Sequence, residues 1–255
     1  MKHSNNAARI RLWRELKPGM DDAIERRVVA YPDLKSPEFA AINPLKKVPA
    51  FIRADGTCVF ESAVILNYLE DKYGDAAPSF KPPTAEGRQL MELFIRIHDL
   101  YIASPNCTAP GFSHCQGAMY LSYGWHGCAR GMDLPTRAAK LAEIWKQLSW
   151  LEGYMTSPFL AGGALSLADF TWYPTMVFME FLLPRVLDWP SVVDPAASSF
   201  PRIAAWFVKC TAIAEFKRAR DQIYTYWEEM EAKGQFKPIK DEIAADTEGH
   251  KLRYP

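Results

Sequence analysis

The residues best suited to chemistry are an acid and a hydroxyl at the point where a predicted strand runs into a predicted helix. Glu61 and Ser62 follow the β-rich stretch 57–60 and open the helical pattern of residues 61–73. The N-terminus of a helix has N–H groups without partners and the positive end of the helix dipole, so it suits a carboxylate. Ser62 adds a hydroxyl donor, and Glu61 can approach an ammonium group. Helix capping by Ser62 is the alternative role, and the two roles are compatible.

A second group of reactive side chains lies in the segment 105–133, which is rich in Gly, Tyr and Trp. It holds three cysteines and two histidines: Cys107, Cys115, Cys128, His114 and His126. No Cys-x-x-Cys pair or regular ligand spacing is present, so no metal site is predicted. The length of the segment favours a lid over a pocket or a docking surface. His98 and Asp99 precede it and either border that pocket or form a hydrogen-bonded structural pair, the latter being favoured.

Several short elements must position these residues. The turn Ala54-Asp55-Gly56 between two β-rich stretches predicts a hairpin, and Ser36 before Pro37 predicts a capped helix. Ser166 and Asp169 have the spacing of a capping box at the start of a long apolar helix. The predicted elements of the first part are a helix over 9–17, a β-rich run over 24–30, strands over 48–52 and 57–60, and a helix over 61–73.

The chain divides at a segment rich in Pro and Ala. Residues 76–86 are predicted to be a linker between a mixed α+β domain over 1–75 and an all-α domain over 87–255. Beyond the linker, apolar residues recur at helical spacing. The polar tail over 233–255 is predicted to wrap the surface or to be loose.

Composition narrows the partners and the compartment. The 255 residues carry 30 basic and 30 acidic side chains, so nothing in the charge favours nucleic acid or an anionic membrane. The most apolar stretch, 170–183, is too short and too polar to span a bilayer, so no membrane insertion is expected. Five dispersed cysteines suit a reducing compartment. A cytoplasmic protein that binds a small molecule or another protein is predicted.

Three segments together resemble the cytosolic glutathione transferases, most closely their zeta-like and tau-like serine classes. They are NPLKKVPAFI over 43–52, ESAVILNYLEDKYG over 61–74 and LSLADFTWYP over 165–174. The resemblance implies an N-terminal thioredoxin-like domain followed by an all-α domain. It also implies a first strand, for which only residues 1–3 are present. Either the chain given is incomplete at its start, or the domain is a degenerate one that packs on something else.

The resemblance implies glutathione as co-substrate and assigns residues to it. The peptide bond between Val48 and Pro49 is expected to be cis, with the N–H and C=O of Val48 paired to the cysteinyl backbone of glutathione. Lys47 is expected near the glycyl carboxylate, with a solvated surface lysine as the equal alternative. Glu61 and Ser62 are expected at the γ-glutamyl end, on the ammonium and the carboxylate respectively.

The resemblance also implies a donor beside the glutathione sulfur. When Arg9-Ile10-Arg11 is aligned with the Arg-x-Arg helix of the serine classes, Ser4 takes the serine position. A relation to the nu class implies Asn6 instead. Neither residue is a cysteine, which disfavours thiol-transfer chemistry.

Two functions follow from the resemblance. The first is a glutathione-dependent transferase in detoxification, in which the thiolate attacks an apolar electrophile and the protein is a homodimer. The second is a non-catalytic glutathione-transferase-like subunit or scaffold in a larger assembly. The missing strand and the segment 105–133 favour the second function, while the residues at Val48 and Ser62 also fit glutathione binding without turnover.

Overall fold

The computed structural model describes residues 1–103, 115–122, 132–156 and 158–255. Its first part is mixed: α1 (Asn5–Leu16), α2 (Met20–Ala23), a 3₁₀ turn (Pro32–Lys35), α3 (Pro37–Ile42), β1 (Ala50–Ile52), β2 (Cys58–Phe60) and α4 (Ser62–Lys72). The elements that follow are helical: α5 (Ala85–Ile97), a π-helical turn (His98–Ile102), a 3₁₀ turn (Cys115–Met119), α6 (Leu134–Tyr154), α7 (Leu167–Leu187), α8 (Pro201–Thr211), α9 (Ala214–Ala232) and α10 (Lys237–Ala244). The predicted order, an α+β part followed by an all-α part, is confirmed.

The β1–β2 hairpin forms where it was predicted, with shorter strands. Ile52 pairs with Cys58 in antiparallel register, next to the turn. Gly56 has a φ of 83° in that turn, which is a left-handed conformation that glycine adopts at little cost. The Asp55 carboxylate accepts a hydrogen bond from the Thr57 N–H at 2.9 Å and closes the turn. The hairpin is therefore determined by residues within a few positions of each other.

The β-rich run 24–30 is not a strand, so that prediction was wrong. The sheet of the described residues contains β1 and β2 only, and most of the run is exposed. Residues 1–4 are outside any strand as well, and the Met1 amine donates to the Val29 carbonyl at 3.0 Å. β-propensity depends on packing against a neighbouring strand. Without such a neighbour, the branched side chains of the run do not produce a strand.

Serine caps determine where the early helices begin. Ser36 caps α3 as predicted, since its Oγ accepts from the Phe39 N–H at 3.1 Å. In α1, Ser4 is the capping residue, and its Oγ accepts from the Ala7 N–H at 3.2 Å. The helix therefore starts at Asn5 rather than at the predicted position 9.

The capping box at the start of α7 is confirmed, and it also joins three parts of the helical half. The fully buried Asp169 carboxylate accepts from the Ser166 N–H at 2.7 Å. It also accepts from the Leu160 N–H at 2.9 Å and from the Trp206 indole N–H at 2.8 Å. Burial raises the pKa of Asp169 even against these hydrogen bonds, which favour the charged form.

Helix α7 is the centre of the helical half, because α1, α5, α8 and α9 all pack on it. Its residues are buried nearly all around the helix. Tyr173 illustrates the packing: its ring stacks on Phe207 at 4.9 Å and meets Phe216 edge-on at 4.8 Å. Although α7 is strongly apolar, none of the helices in the described ranges has both the length and the apolarity needed to span a bilayer.

Glu70 is a buried carboxylate that ties α4 to α1 and to the segment after α4. It accepts from the Trp13 indole N–H at 2.6 Å and from the Phe80 backbone N–H at 2.8 Å. The Lys17 ammonium lies 3.3 Å from both carboxylate oxygens and donates to the Pro78 carbonyl at 2.9 Å. That residues 76–86 form a boundary between two domains stays a prediction. The first part of this segment is held next to the end of α1 by the hydrogen bond from Lys17 to Pro78.

The C-terminal tail wraps the surface, which is one of its two predicted states. Beyond α10, Leu252 and Tyr254 are buried. The Leu252 carbonyl accepts from the Trp189 indole N–H at 2.7 Å, and the Tyr254 ring stacks on Trp145 at 5.4 Å. The tail therefore covers two tryptophans of the helical half.

Replacing Glu70 with glutamine should lower the free energy of unfolding by about 3–5 kcal/mol, because the Lys17 charge then stays buried without a counter-charge. Urea unfolding followed by tryptophan fluorescence measures the change. Glu228→Gln, on the exposed side of α9, is the matched control and should change stability by less than about 0.5 kcal/mol. Equal, small changes in both variants would show that this ion pair does not hold α1 in place.

Candidate functional site

The predicted ligand-contacting residues come together at the open end of the β1–β2 hairpin. The first residue of β1 lies opposite the last residue of β2. The ladder ends there, so Pro49 just before β1 and Glu61 just after β2 leave the sheet at the same end, and Ser62 already belongs to α4. Two motifs that are separate in the sequence therefore share one edge, above the start of α4.

The loop before β1 is held by Asn43, a buried residue that the sequence analysis did not single out. Its Nδ2 donates to the Lys47 carbonyl at 2.8 Å, and its Oδ1 accepts from the Leu45 N–H at 3.0 Å. The Val48–Pro49 peptide bond is cis, as predicted. Neither the N–H nor the carbonyl of Val48 has a hydrogen-bond partner within the described ranges. Both groups can pair with the backbone of an extended ligand, as an added strand does.

Helix α4 begins without a side-chain cap. Glu61 is exposed and takes a φ of 68°, a region that residues other than glycine rarely adopt. The first helical hydrogen bond runs from the Ile65 N–H to the Glu61 carbonyl at 2.9 Å, so the N–H groups of Ser62 and Ala63 have no helical partner. The Ser62 hydroxyl bonds to no described residue and does not cap α4, so the capping alternative was wrong. The helix start can accept an anion, with the Glu61 carboxylate beside it.

The two predicted sulfur-side residues lie at the start of α1. Ser4 is the N-cap, and Asn6, in the first turn, is half-buried. No hydrogen bond in the described ranges joins either residue to Val48 or Ser62. The residues predicted to contact the ligand backbone lie at one end of the hairpin, and no described hydrogen bond links the predicted sulfur-side pair to them.

Arg9 is a buried residue that the sequence analysis used only to align α1. Its guanidinium forms a two-point ion pair with Asp99, with Nη2–Oδ1 at 2.7 Å and Nη1–Oδ2 at 3.3 Å. Nη2 also donates to Asn6 Oδ1 at 2.8 Å. The Asn6 amide therefore turns its oxygen toward Arg9, and its Nδ2 has no acceptor among the described residues.

A chain of hydrogen bonds continues from Asp99 into the core. His98 is fully buried, with Nδ1 2.8 Å from Asp99 Oδ1 and Nε2 2.7 Å from Thr175 Oγ1. The buried Asn5 amide donates to Thr175 Oγ1 at 2.9 Å and to Gln116 Oε1 at 3.0 Å. The structural interpretation of His98 is confirmed. The sequence analysis missed Asn5, Gln116 and Thr175. The available signal was a second asparagine, Asn5, directly before the predicted Asn6.

Counting donors and acceptors assigns the proton on His98. The Asp99 carboxylate only accepts, so Nδ1 carries the proton. Nε2 then accepts from the Thr175 hydroxyl, whose oxygen is left to accept from Asn5. The 3.4 Å approach of Arg9 Nη2 to His98 Nδ1 is then a contact between two donors rather than a hydrogen bond. Every donor in this chain from Asp99 to Asn5 has an acceptor only when His98 is neutral.

The ionisation of the pair follows from its surroundings. Burial lowers the pKa of His98 and outweighs the Asp99 charge, which acts in the opposite direction. Burial also acts to raise the pKa of Asp99, but Arg9 and His98 outweigh it and hold that pKa well below its usual range. A neutral His98 therefore lies beside a charged Asp99. Both residues begin the π-helical turn, in which the Ala103 N–H donates to the His98 carbonyl at 2.9 Å; such turns are frequent at functional sites.

The described part of the segment 105–133 is held by a second buried arginine. The Arg137 guanidinium donates to the Ala118 carbonyl at 2.6 Å and to the Leu121 carbonyl at 3.1 Å, and it pairs with Glu242 of α10 at 3.2 Å. The interpretation of this segment as a lid or docking surface stays a prediction. Four of the five cysteine and histidine residues of this segment lie outside the described residues: Cys107, His114, His126 and Cys128.

Comparison with known proteins adds sequence and fold similarity. Two family models match, described as "Glutathione S-transferase, N-terminal domain" over residues 3–72 and "Glutathione S-transferase, C-terminal domain" over residues 135–208. Human elongation factor 1-gamma is 26% identical over 191 residues, which cover 74% of this chain and 37% of that protein. The chain thus spans less than two fifths of the length of this curated relative.

Solved structures show the same fold at low identity. Human glutathione-S-transferase T1-1 in its apo form superposes with a TM-score of 0.67 at 22% identity and covers 96% of this chain and 94% of its own. Glutathione transferase F7 from Populus trichocarpa gives a TM-score of 0.65 at 18% identity and covers 87% of this chain and 96% of its own. The fold is the one predicted from the three sequence segments.

Acidification should destabilise the protein through His98. Because the folded-state pKa of His98 is depressed, the unfolded chain takes up a proton below about pH 6.5 that the folded protein does not bind. Between pH 7 and pH 5 this lowers the free energy of unfolding, by up to about 2 kcal/mol, the limit for one histidine that takes up a proton only in the unfolded chain. Asp99 contributes only at lower pH, near the ordinary pKa of an aspartate. Urea unfolding of His98→Gln across this range should therefore show a shallower pH dependence than the wild type.

The control is His250→Gln, which removes a more accessible imidazole near the C-terminus and should keep the steep dependence of the wild type. If His98→Gln and the wild type lose stability in parallel on acidification, His98 is not the buried neutral group described above.

Proposed function

The chain belongs to the glutathione S-transferase family, and on that basis we propose that it uses glutathione as a co-substrate for transfer to an apolar electrophile. Glutathione lies along the open end of the β1–β2 hairpin, and its thiol loses its proton to solvent. The thiolate sulfur then attacks the electrophilic carbon, a C–S bond forms, and the leaving group departs with its electron pair. The observation that carries the proposal is that the unpaired N–H and carbonyl of Val48 and the uncapped start of α4 lie at the same end of the β1–β2 hairpin.

Each polar group of glutathione has a counterpart at this edge. The cysteinyl backbone pairs with the N–H and carbonyl of Val48, which have no other described partner. The γ-glutamyl carboxylate takes the start of α4 and the Ser62 hydroxyl, while its ammonium faces Glu61. The glycyl carboxylate lies toward Lys47, whose backbone Asn43 holds in place. Two carboxylates and one ammonium thus meet groups of complementary charge.

The sulfur lies toward the start of α1, where Ser4 and Asn6 are the candidate donors to the thiolate. A hydrogen bond to the thiolate favours the charged form and lowers the pKa of the thiol. The helical half supplies the apolar surface for the electrophile.

The proposed domain bounds, compartment and assembly follow from membership of the family. The proposed glutathione-binding domain covers residues 1–75, and the proposed helical domain covers 87–255 after a linker over 76–86. The two matched family segments fall on either side of that linker, which supports the division. We place the protein in the cytoplasm as a homodimer or as a subunit of a larger complex, with a role in detoxification.

Replacing Ser62 with alanine should weaken glutathione binding by about 10-fold or more, because a hydrogen bond to a charged carboxylate contributes about 1.5–3 kcal/mol. Isothermal titration calorimetry with glutathione measures the dissociation constants. Ser149→Ala, at an exposed position of α6, is the matched control and should bind as the wild type does. Absence of binding by the wild type, or equal affinities for all three proteins, contradicts the proposal.

A non-catalytic subunit of a larger assembly is the second candidate function. The observation that favours it is the likeness to elongation factor 1-gamma, in which the matched region is only part of a longer chain. Glutathione-dependent turnover of an aryl halide separates the two candidates. Turnover above the uncatalysed rate that Ser62→Ala reduces supports the transferase. Glutathione binding without turnover supports a binding or structural role.

A further inference from the structure

We propose that the outer face of α8 is a docking site for an acidic amphipathic helix of a partner protein. A groove of about 620 Å³ lies between this face and the loop that follows α6. None of its lining residues belongs to α1, to α4 or to the β1–β2 hairpin, so the proposal goes beyond the proposed function and does not depend on glutathione. The groove has an apolar lining with two cations, Arg202 and Lys209; the apolar residues are Met155, Pro158, Pro201, Ala205 and Trp206.

The apolar lining of the groove is fixed in place before any partner binds. The indole N–H of the buried Trp206 donates to the Asp169 carboxylate at 2.8 Å, which holds the ring against the central helix. On the opposite wall, both the N–H and the hydroxyl of Thr156 donate to the Leu160 carbonyl at 3.1 Å. A preformed surface of this kind loses little conformational freedom when a partner docks.

Two cations lie on the same face of α8, on either side of Ala205. Positions 202, 205 and 209 are separated by three and four residues, so their side chains share one face of the helix. Arg202 and Lys209 are about 10.5 Å apart along the helix axis, at 1.5 Å per residue. The face therefore has positive charge at its two ends and an apolar centre.

Neither cation has a carboxylate partner in the part of the chain that the structure describes. The Lys209 ammonium lies over the Phe159 ring, 5.4 Å from its centroid. At the other end, the Glu152 carboxylate accepts from the backbone N–H groups of Arg202 and Ile203 at 2.8 and 2.9 Å, so it caps the start of α8. Both side-chain charges of the groove are thus available to an acidic partner.

The apolar centre continues beyond the groove. Val208 follows Ala205 by one turn and Tyr154 precedes Met155, and each is more than half exposed. An exposed apolar surface bordered by charges is typical of a protein interaction site. A helix lying alongside α8 has the same rise per residue, so two acidic residues seven positions apart would meet Arg202 and Lys209. The apolar residues between them would then cover Ala205.

The experiment titrates a labelled helical peptide with the full-length protein and records fluorescence anisotropy. The peptide has about 15 residues, enough for a stable helix, with two glutamates seven positions apart and alanine and leucine between them. A second peptide has glutamine in place of both glutamates. It should bind about tenfold more weakly, because each exposed ion pair contributes up to about fivefold in affinity. High salt should reduce the affinity of the glutamate peptide towards that of the glutamine peptide.

Ala205→Glu tests the face with little risk of misfolding, because position 205 is exposed and glutamate favours helices. Its carboxylate follows Arg202 by three residues and precedes Lys209 by four, so it pairs with both cations within α8. Peptide binding should fall below detection while the melting temperature stays at or above that of the wild type. Ala205→Gln adds similar bulk without the charge and should bind more tightly than Ala205→Glu.

Lys209→Ala removes one cation and should weaken binding of the glutamate peptide by about three- to fivefold. Lys233→Ala, at an exposed position just after α9, is the matched control and should bind as the wild type does. Saturating glutathione should leave the peptide affinity unchanged.

Four results would overturn the proposal. The wild type may fail to bind the glutamate peptide, or may bind both peptides equally well. Decanoate that binds in the groove as tightly as the peptide would make the occupant a small anion. A dimer in sedimentation velocity that Ala205→Glu dissociates would make it a second copy of this chain. If the peptide binds as expected and glutathione does not bind, the proposed function fails and the docking site stands.

Discussion

Helix α1 is held by two ion pairs, and the position of the candidate site's parts depends on both. In its second turn, the buried Arg9 pairs with the half-buried Asp99 of the π-helical turn that follows α5. Just beyond its end, Lys17 pairs with Glu70 of α4. The first pair ties α1 to the helical half, and the second ties it to the helix whose N-terminus forms the proposed anion site. Together they hold α1 against both the helical half and α4.

Such pairs cost free energy when they are taken out of water, and they persist only where further hydrogen bonds satisfy the charges. Glu70 has the Trp13 indole and a backbone N–H for this purpose, and Asp99 has the His98 imidazole. At the proposed ligand edge the opposite holds, since the backbone groups of Val48 have no partner in the described part of the chain. Strong polar groups are thus satisfied in the interior and left open along one edge, which is the distribution expected of a site for a polar ligand.

Much of the fold could be predicted because it is decided within short stretches of sequence. The Ser36 cap, the capping box of Ser166 with Asp169 and the Gly56 turn each satisfy their hydrogen bonds within a few residues. The run 24–30 shows the limit of that approach. Its side chains favour a strand, but a strand needs a neighbour to pair with, and no local pattern shows whether that neighbour is present.

The candidate site also has a part that local sequence determines and a part that depends on distant residues. The sequence by itself predicted the proposed ligand edge, because Val48 and Ser62 each belong to a short motif that can be recognised where it stands. Only the tertiary structure decided that both motifs lie at one end of the hairpin, and that Asn6 is oriented by Arg9, which Asp99 holds. The physical reason is distance along the chain. A cap or a turn finds its partner among adjacent residues, whereas a buried guanidinium finds its carboxylate only after helices far apart in sequence have packed.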